Sequence, residues 1–391
     1  MLRSGRIRRW SLVSLLVVVS AACVPRLDAP GATGRIELIS SATLQGFHID
    51  YYRNTAYPCS ISGYQTFALA YRDGTGTSVP APLWVYTHGG GAGYFDAARV
   101  PQPDDTNMRE EAMPTLLQAG LQPGLFPLVR ADSLAFRFLA VSYCDRDLYG
   151  GVNRLDPNNP NKQPDGAAIT TNGLLATKAA IQFASAKVAT TKFILHGGSA
   201  GSVGSYSVAW SLQMQGLAPA AVIADSGVTN QEWLQAVVAQ GVSCPGRNPA
   251  TDNPAALAAR MHPDLAKIEN EPDKLVSRGA LTVPIMHIWN RGDPMGCGPV
   301  PLVCPLRDGT SVTLGGTDCM NEPLRRAIVA EGPSSRSRNL AVCVADPTSP
   351  DPANPCNRHV VTLVAGTNTE PGTPADYNAT IMEWVHQRLL D

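Results

Sequence analysis

The chain has 391 residues, of which 44% are hydrophobic, and its 31 basic and 32 acidic residues leave a formal net charge of −1. This composition is typical of a globular protein, and the balanced charge offers no electrostatic attraction for nucleic acid. The length fits two average domains or one large α/β domain with insertions. No internal repeat or long low-complexity run divides the sequence.

The first 22 residues have the pattern of a secretory signal peptide. Four arginines precede an uncharged segment, residues 10–22, which is too short to span a bilayer as a mature helix. Cleavage after Ala22 makes Cys23 the first mature residue. Two outcomes stay open: simple secretion, or lipidation of Cys23, because Ser20 stands where a lipobox usually has Leu or Val. We expect contact with a membrane only through such a lipid.

Removal of the signal peptide takes away four arginines and no acid, so 27 basic residues face 32 acidic ones. Of the nine cysteines, eight remain if Cys23 is set apart for lipidation, and an even number in an exported protein predicts up to four disulfides. Cys297, Cys304 and Cys319 could suggest a zinc site. However, the sequence has no paired C-x-x-C, and an oxidising compartment favours disulfides over thiolate ligands. We therefore expect no metal and no organic cofactor.

Residues 23–34 are rich in proline, glycine and alanine and are predicted to form a flexible leader or tether. A single domain is predicted over residues 35–391, with early strands at 35–39 and 65–72. Residues 82–87, PLWVYT, form a short apolar run that ends at three glycines. This pattern predicts a buried strand that delivers a glycine loop.

A second buried strand is predicted in residues 134–143, which run into Cys144 and Asp145. A helix packed on a sheet is predicted over residues 172–186. The next stretch, residues 192–206, reads KFILHGGSAGSVGSY, with an apolar run, a glycine-rich turn and a small-residue segment that can continue as a helix. The pentapeptide around Ser199 fits the G-x-S-x-G nucleophile elbow, in which a serine stands on a strained strand-to-helix turn.

Two further apolar runs follow, residues 218–224 and 283–289, and helical segments lie between the runs. This alternation predicts an α/β fold with a mostly parallel central sheet covered by helices on both faces. Insertions are predicted near residues 228–280, as a lid or cap, and 295–339, as an irregular segment rich in glycine and proline. Residues 379–390 are predicted to close the chain as an amphipathic helix.

A serine hydroxyl needs an imidazole base to attack an ester, and the imidazole needs a carboxylate to orient it. The elbow and the predicted sheet resemble the α/β-hydrolase layout, in which the three groups follow in the order Ser, Asp or Glu, His. Two histidines lie late enough in the chain. His359 follows a loop and precedes an apolar run, whereas His386 lies within the terminal helix, so we favour His359 as the base.

Two residues are candidates for the acid, and each ends an apolar run. Ligands bind at the carboxyl edges of parallel strands, which is where both residues are predicted to lie. Asp293 follows the second strand after the elbow, and Asp225 follows the first. We favour Asp293, with Asp225 as the alternative acid or as a residue that bonds loop amides. The glycine loop at residues 88–93 is the candidate oxyanion hole, with Ala200 as the second type of donor. The other interpretation of this loop is a simple tight turn.

Six segments of the sequence resemble the pectin acetylesterase and Notum family of extracellular carboxylesterases. They follow in the order of that family and are spread over most of the mature chain. The segments are residues 84–93, 142–151, 195–204, 224–227, the segment of Asp293, and 356–359. The resemblance implies an α/β-hydrolase fold and a triad of Ser199, Asp293 and His359. It also implies an oxyanion hole lined by Gly90, Gly91 and Ala200.

The sequence departs from this family at two places. Ala92-Gly93 replaces the usual Trp-Cys after the glycine loop, and Gly201-Ser202 replaces paired glycines in the elbow. The first change removes a bulky wall and a disulfide partner near the substrate, so it leaves the choice between lipid and carbohydrate esters open. For the cysteines, we expect Cys59 to pair with Cys144 and Cys343 with Cys356.

The sequence therefore predicts an exported serine carboxylic-ester hydrolase that forms an acyl-enzyme, with deacetylation of a polysaccharide as one form of this activity. Two alternatives remain. The same triad could serve an amidase or an acyltransferase, or the chain could be a catalytically decayed hydrolase fold that binds a lipid or glycan. The sequence makes no prediction about the natural ester, its acyl-chain length or the oligomeric state.

Overall fold

The computed structural model describes residues 25–74, 76–103, 106–244 and 254–391. The predicted signal peptide and Cys23 lie outside these residues. Within them, nine strands form the main sheet and six short strands form three antiparallel pairs. The main strands are β1 (Ile36–Leu44), β2 (Phe47–Pro58), β3 (Tyr64–Arg72), β4 (Ala81–Thr87), β7 (Arg137–Val141), β10 (Thr190–Gly198), β11 (Ala221–Asp225), β12 (Ile285–Asn290) and β15 (Arg338–Val342). The pairs are β5 (Tyr94–Phe95) with β6 (Pro101–Gln102), β8 (Arg154–Leu155) with β9 (Thr170–Thr171), and β13 (Pro301–Pro305) with β14 (Ser311–Gly315).

Nine α-helices and five short 3-10 turns connect the strands in the described part of the chain. The helices are α1 (Met113–Leu117), α2 (Phe126–Ala131), α3 (Gly173–Lys187), α4 (Ala200–Met214), α5 (Gln231–Ala239), α6 (Pro254–Arg260), α7 (Pro272–Ser277), α8 (Gly316–Ala330) and α9 (Tyr377–Leu390). The turns are Thr106–Met108, Ala119–Leu121, Ile268–Asn270, Pro294–Gly296 and Val361–Leu363. None of these helices combines the length and apolar composition that crossing a bilayer requires.

The main sheet has the strand order β1-β2-β3-β7-β4-β10-β11-β12-β15. The contacts from β7 through β15 are parallel, and those among β1, β2, β3 and β7 are antiparallel. Parallel neighbours need a crossover segment between them, which explains why apolar runs and helices alternate along the sequence. The prediction of an α/β fold with a mostly parallel sheet is confirmed.

Both faces of the sheet are covered, and the alternation of side chains along β4 shows how. Leu83 and Val85 belong to an apolar cluster that includes residues of α3 and α4. Trp84 and Tyr86 point the other way and belong to a cluster that includes residues of α2 and α9. Because successive residues of a strand face opposite sides, a strand buried on both faces is apolar throughout, as PLWVYT is.

The parallel arrangement brings five loops to one edge of the sheet. The carboxyl ends of β4, β10, β11, β12 and β15 lie side by side there, since neighbouring parallel strands run in the same direction. The loops that leave these ends carry, in chain order, the glycine loop, Ser199, Asp225, Asp293 and His359. Residues separated by more than 250 positions in the sequence thus meet at this edge.

Residues 25–34 pack on the domain, in contrast to the flexible leader that their composition predicts. Leu27 is buried, and its carbonyl oxygen accepts hydrogen bonds from Lys178 Nζ at 3.1 Å and from Ser211 Oγ at 2.6 Å. Gly31 lies so close to α3 that a Cβ would meet the backbone of Ala179. The packing of Leu27 and Ala29 and the side-chain hydrogen bonds to the Leu27 carbonyl hold a segment whose average composition shows no such preference.

Residues 295–339 also contain more regular structure than predicted. They form the β13–β14 hairpin and the 15-residue helix α8, which crosses over between the parallel strands β12 and β15. The buried residues of α8 include Cys319, Met320, Leu324, Ala327 and Ile328, a helical spacing that the surrounding glycines and prolines concealed. The predicted helices at residues 172–186 and 379–390 correspond to α3 and α9.

Four disulfides connect the eight cysteines that follow Cys23. The pairs are Cys59–Cys144, Cys244–Cys297, Cys304–Cys319 and Cys343–Cys356. The first and last pairs confirm the expected ones. Three cysteines whose spacing could suggest zinc are therefore bonded to other cysteines. Four disulfides fit an oxidising compartment, outside the cell or in a periplasm.

Candidate active site

Ser199 stands at a sharp turn between β10 and α4, and its backbone has a φ of 56° and a ψ of −120°. A positive φ is strained for a residue with a side chain and persists only where the surrounding structure holds it. The neighbours must be small. A Cβ on Gly197 would meet the carbonyl oxygen of Gly201, and one on Gly201 would meet that of Thr87. These glycines allow the strands and α4 to approach closely enough to form the turn.

Two side chains from other strand ends line up with the Ser199 hydroxyl. His359 Nε2 lies 2.8 Å from Ser199 Oγ, and His359 Nδ1 lies 2.7 Å from Asp293 Oδ2. An ionised carboxylate only accepts hydrogen bonds, so we assign the proton to Nδ1. Nε2 is then free to accept from the serine hydroxyl. Asp293, His359 and Ser199 thus form one continuous chain of hydrogen bonds.

The electrostatic setting of His359 favours its charged form. The Asp293 side chain is 1% exposed, and that of His359 is 29% exposed. Burial by itself lowers the pKa of His359. The charge of Asp293, the hydrogen bond to it and the charge of Asp225 outweigh this effect and raise the pKa above its ordinary value. An imidazole in this setting is well suited to take up a proton from a neighbouring hydroxyl.

Asp225, the alternative acid, is fully buried and bonded elsewhere. Its Oδ2 accepts hydrogen bonds from the Thr362 N–H at 2.7 Å and the Thr362 hydroxyl at 2.6 Å, and its Oδ1 accepts from Ser226 Oγ at 2.7 Å. Burial raises the pKa of Asp225, although the bonds from Thr362 and Ser226 act in the opposite direction. Asp225 therefore anchors the chain three residues after His359, while Asp293 contacts the imidazole.

A second anchor of the His359 segment comes from Asn290, the last residue of β12. Its amide nitrogen donates to the carbonyl oxygens of Val344 at 2.7 Å and Arg358 at 2.8 Å. Its amide oxygen accepts from the Val344 N–H at 3.0 Å. One buried amide thus ties both ends of the loop that carries His359 to the strand that precedes Asp293.

The glycine loop after β4 packs directly on the serine. A Cβ on Gly89 would lie 2.7 Å from Ser199 Cβ and 3.3 Å from its Oγ. Gly90 and Gly91 follow with φ values of 151° and 73°, and both are exposed. Side chains are rarely compatible with such backbone conformations. Ala200, the first residue of α4, follows the serine directly, so the glycine loop and the start of α4 are two separate backbone segments next to Ser199.

The structure explains one departure from the resembled family. Gly93 donates its N–H to the Arg146 carbonyl oxygen at 2.9 Å. A Cβ at this position would meet Met108 Cε and would come within 2.9 Å of Arg146 Cβ. The loop therefore has no room for a cysteine there, and the neighbouring Ala92 is only half-buried.

The other histidines have partners of their own, and among the described residues only His359 has a hydrogen bond to Ser199. His386 Nε2 lies 2.7 Å from Asp132 Oδ2. His196 and His287 are buried in the core, and burial lowers the pKa of each to about 3. The remaining pairs are His48 with Asp50, His88 with Glu111, and His262 with the Pro25 carbonyl.

The order of these groups along the sheet identifies the architecture. A sharp turn that carries a serine follows a central parallel strand, an aspartate follows a later strand, and a histidine follows the last one. The fold is that of the α/β-hydrolases.

No known family model matches the sequence, and no curated protein matches it. Similar solved structures include a thermostable esterase from Pseudomonas putida ECU1011, which is 12% identical with a TM-score of 0.45, the match covering 92% of this chain and 84% of that one. A protein of Bacteroides fragilis assigned as an acetyl xylan esterase is 15% identical with a TM-score of 0.43, covering 93% and 83%. The brefeldin A esterase, a bacterial homologue of human hormone sensitive lipase, is 13% identical with a TM-score of 0.37, covering 93% and 74%.

Sequence reasoning missed several residues around the site. Gly89 belongs to the glycine loop, but nothing in the pattern distinguishes it from its neighbours. Asn290 could have been found, because it is a polar residue that ends a buried apolar run at the same edge as Asp293. Thr362 and Glu111 carry no such signal, since each lies in an irregular segment whose position depends on tertiary packing.

Proposed function

We propose that the protein is a serine carboxylic-ester hydrolase in which Ser199 is the nucleophile, His359 the general base and Asp293 the acid that orients the histidine. The observation that carries this proposal is the continuous hydrogen-bond chain from Asp293 Oδ2 through His359 to Ser199 Oγ. A second support is the strained backbone of Ser199, which lifts its hydroxyl out of the turn.

In the first half of the reaction, Ser199 Oγ attacks the ester carbonyl carbon and its proton moves to His359 Nε2. Asp293 stays ionised and stabilises the imidazolium through Nδ1–H. The tetrahedral intermediate then collapses, the alcohol leaves with the proton from His359, and the acyl group remains on Ser199. In the second half, a water molecule gives its proton to His359 and attacks the acyl-enzyme, which releases the carboxylic acid and the free serine. These steps use no metal ion and no organic cofactor.

The oxyanion hole in this proposal consists of the backbone N–H groups of Gly90, Gly91 and Ala200. Support comes from the contact of the preceding Gly89 with Ser199 and from the backbone of the two exposed glycines, which keeps side chains away from a bound ester. Donors of this kind stabilise the negative oxygen of the tetrahedral intermediate. Loss of one typically lowers kcat by ~10²-fold to 10³-fold.

The test is hydrolysis of p-nitrophenyl acetate and butyrate by the wild type and by Ser199→Ala, together with fluorophosphonate labelling. Ser226 is a matched internal control, because it has a similar φ of 61° but donates its hydroxyl to Asp225. We expect turnover to vanish in the variant and the label to appear on Ser199 and not on Ser226. Equal turnover by both proteins, or a folded wild type that is never labelled, contradicts the proposal and favours a binding protein on a decayed hydrolase fold.

We further propose that the chain is related to the pectin acetylesterase and Notum family and removes acetyl groups from a polysaccharide. The disulfides Cys59–Cys144 and Cys343–Cys356 support this relationship, because one cysteine of each pair, Cys144 or Cys356, lies in a segment that carries the resemblance. The exposed Gly90 and Gly91 and the half-buried Ser199 support an open site. An open site suits a short acyl group on a bulky polymer better than a long acyl chain, which needs a deep apolar pocket.

Acetate release from acetylated pectin and acetylated xylan, compared with turnover of p-nitrophenyl acetate, butyrate and octanoate, tests the substrate class. We expect activity to fall from acetate to octanoate and acetate to be released from at least one polymer. A preference for octanoate contradicts the proposed acyl group. Transfer of the acyl group to an added alcohol or amine in preference to water identifies an acyltransferase.

For localisation, we propose export through the signal peptide at residues 1–22 and lipidation of Cys23. The four disulfides support export. Mass spectrometry of the mature N-terminus decides the second point, because a lipidated Cys23 carries the mass of its acyl chains. An unmodified Cys23, or a mature chain that starts elsewhere, contradicts lipidation and leaves simple secretion.

A further inference from the structure

His88, the first residue after β4, stands at the base of the glycine loop with both ring nitrogens engaged. Its Nδ1 lies 2.6 Å from the Gly89 carbonyl oxygen, and its Nε2 lies 2.8 Å from Glu111 Oε2. A carbonyl oxygen and an ionised carboxylate oxygen are both acceptors and cannot donate. When the Glu111 carboxylate is ionised, both hydrogen bonds form only if each ring nitrogen carries a hydrogen, which makes His88 an imidazolium cation.

The surroundings of His88 decide how firmly it holds this charge. Burial and the positive charge of Arg146 lower the pKa of His88. The charge of Glu111, its hydrogen bond and the hydrogen bond to the Gly89 carbonyl raise the pKa, and together these effects are the larger ones, so the pKa of His88 lies above its ordinary value. The Tyr143 ring packs edge-on at 6.0 Å between centroids, and the Tyr149 hydroxyl donates to the His88 carbonyl oxygen at 2.9 Å. Glu111 is the group that keeps His88 charged.

The bond from His88 to Gly89 constrains the next peptide group. In a trans peptide the carbonyl oxygen and the following N–H point to opposite sides of the chain. A Gly89 carbonyl drawn toward His88 therefore directs the Gly90 N–H away from it. The Gly89 Cα itself packs on Ser199, since a Cβ there would lie 2.7 Å from Ser199 Cβ. Residues 89–91 carry no side chain that would itself restrict rotation of this peptide.

We propose that His88 and Glu111 are a positioning pair for the oxyanion hole. The imidazolium holds the Gly89 carbonyl, and the Gly90 N–H thereby stays directed at the oxygen of the bound ester. Neither side chain touches the substrate in this arrangement, and both act through the backbone of the loop. The inference rests on the proposed esterase function, because only a reaction that develops a negative oxygen at this loop gains from the constraint.

The pair makes the loop sensitive to pH in a defined direction. His88 has a raised pKa, so its charged form is present below that pKa and is lost as the pH rises through it. Loss of one ring proton removes one of the two hydrogen bonds. The negative charge of Glu111 keeps the remaining proton on Nε2, so the Gly89 carbonyl is freed. In Glu111→Gln the amide oxygen accepts from the Tyr143 N–H, as Glu111 Oε1 does at 3.3 Å, and the amide NH₂ group faces His88 Nε2. A neutral His88 then accepts this hydrogen bond at Nε2, keeps its own proton on Nδ1 and still donates to the Gly89 carbonyl. The variant therefore keeps the constraint at a pH where the wild type loses it.

The first experiment measures kcat and KM against pH for the wild type, Glu111→Gln and Asp132→Asn. Asp132→Asn is the matched control, because it removes the carboxylate partner of His386. We expect the ratio of Glu111→Gln kcat to wild-type kcat to be near one at low pH and to rise with pH to about 10-fold to 100-fold, because only the wild type loses the constraint. This change is less than or comparable to the loss of one oxyanion donor. KM stays unchanged, and Asp132→Asn follows the wild type. A ratio that is constant across the pH range, or an effect confined to KM, overturns the inference.

The second experiment observes the charge of His88 directly by ¹⁵N NMR of histidine-labelled protein, with His88→Gln used to assign its signals. We expect both ring nitrogens of His88 to be protonated in the wild type at neutral pH. One unprotonated nitrogen there overturns the inference even if the enzyme is active and Glu111→Gln does not fold. A wild type that carries the charged His88 but hydrolyses no ester overturns the proposed function, so the two failures are distinguishable.

Discussion

Two histidine–aspartate pairs with the same nitrogen–oxygen distance lie in different regions of the molecule. His359 and Asp293 stand 2.7 Å apart at the carboxyl edge of the parallel strands, and His386 and Asp132 stand 2.7 Å apart between α9 and the end of α2. The His359 side chain is 29% exposed and its partner 1% exposed, whereas the His386 side chain is 43% exposed and its partner 9% exposed. The distance between the two groups does not distinguish the pairs.

The third group and the surroundings distinguish them. The free nitrogen of His359 faces the hydroxyl of Ser199, and a second carboxylate, Asp225, adds to the negative field around the imidazole. Within the described residues, no hydroxyl stands in that relation to His386. A histidine–aspartate pair therefore indicates an acid–base site only where a sheet edge also supplies a nucleophile, and each of the following predictions tests this difference.

The largest difference in kcat is expected between the variants His359→Ala and His386→Ala. Removal of His359 takes away the base, so we expect kcat for p-nitrophenyl acetate to fall by at least about 10⁴-fold. Removal of His386 breaks a half-exposed pair that has no contact with Ser199, so we expect kcat to change by less than about twofold. Steady-state kinetics of the two purified variants check this. A similar loss of kcat in both variants would show that the two histidine–aspartate pairs do not differ in their role.

The next largest effect concerns the acids. Asp293→Asn keeps the shape of the side chain but no longer stabilises the imidazolium, and we expect kcat to fall by about 10³-fold to 10⁴-fold with little change in melting temperature. Asp132→Asn is the control, with activity expected at the wild-type level. Kinetics together with thermal unfolding separate loss of chemistry from loss of fold. If Asp293→Asn kept a tenth or more of the activity, Asp225 would be the better candidate for the acid.

A smaller effect is expected in the pH dependence. The base must be neutral in the free enzyme, so kcat/KM is expected to fall as the pH drops through the raised pKa of His359. Removal of the Asp225 charge in Asp225→Asn takes away one cause of the raised pKa, and the acid limb of the profile should move to lower pH. Asp132→Asn should leave the limb in place. If the acid limb of the kcat/KM profile stays in place in Asp225→Asn, the charge of Asp225 does not affect the pKa of His359.

The smallest effect on catalysis is expected for Thr362→Val. Its hydroxyl donates to Asp225 Oδ2 at 2.6 Å and lies 3.0 Å from His196 Nε2, all within the buried layer beneath the loop. Loss of these bonds leaves a buried donor and a buried acceptor less satisfied, which typically costs about 1–3 kcal/mol of unfolding free energy. We expect denaturant unfolding to report this loss while kcat falls less than about tenfold. A larger fall in kcat with unchanged stability would place Thr362 in the chemistry instead.

The sequence by itself determined the features that depend on neighbouring residues. Alternating apolar runs and helical segments indicated the parallel sheet, because a strand buried on both faces must be apolar throughout. The G-x-S-x-G turn indicated Ser199, because only small residues permit such a turn between strand and helix. The order of the remaining polar residues then reduced the base to His359 or His386 and the acid to Asp293 or Asp225.

Only the tertiary structure shows which of these residues lie together. Asp293 and Asp225 both end parallel strands, and the choice between them depends on which carboxylate the loops bring to His359. The same holds for Glu111 at His88 and for the docking of Leu27 on the helices. These contacts join residues from 23 to more than 180 positions apart, and their distances are set by how helices and loops pack on the sheet, which no local pattern of residues records.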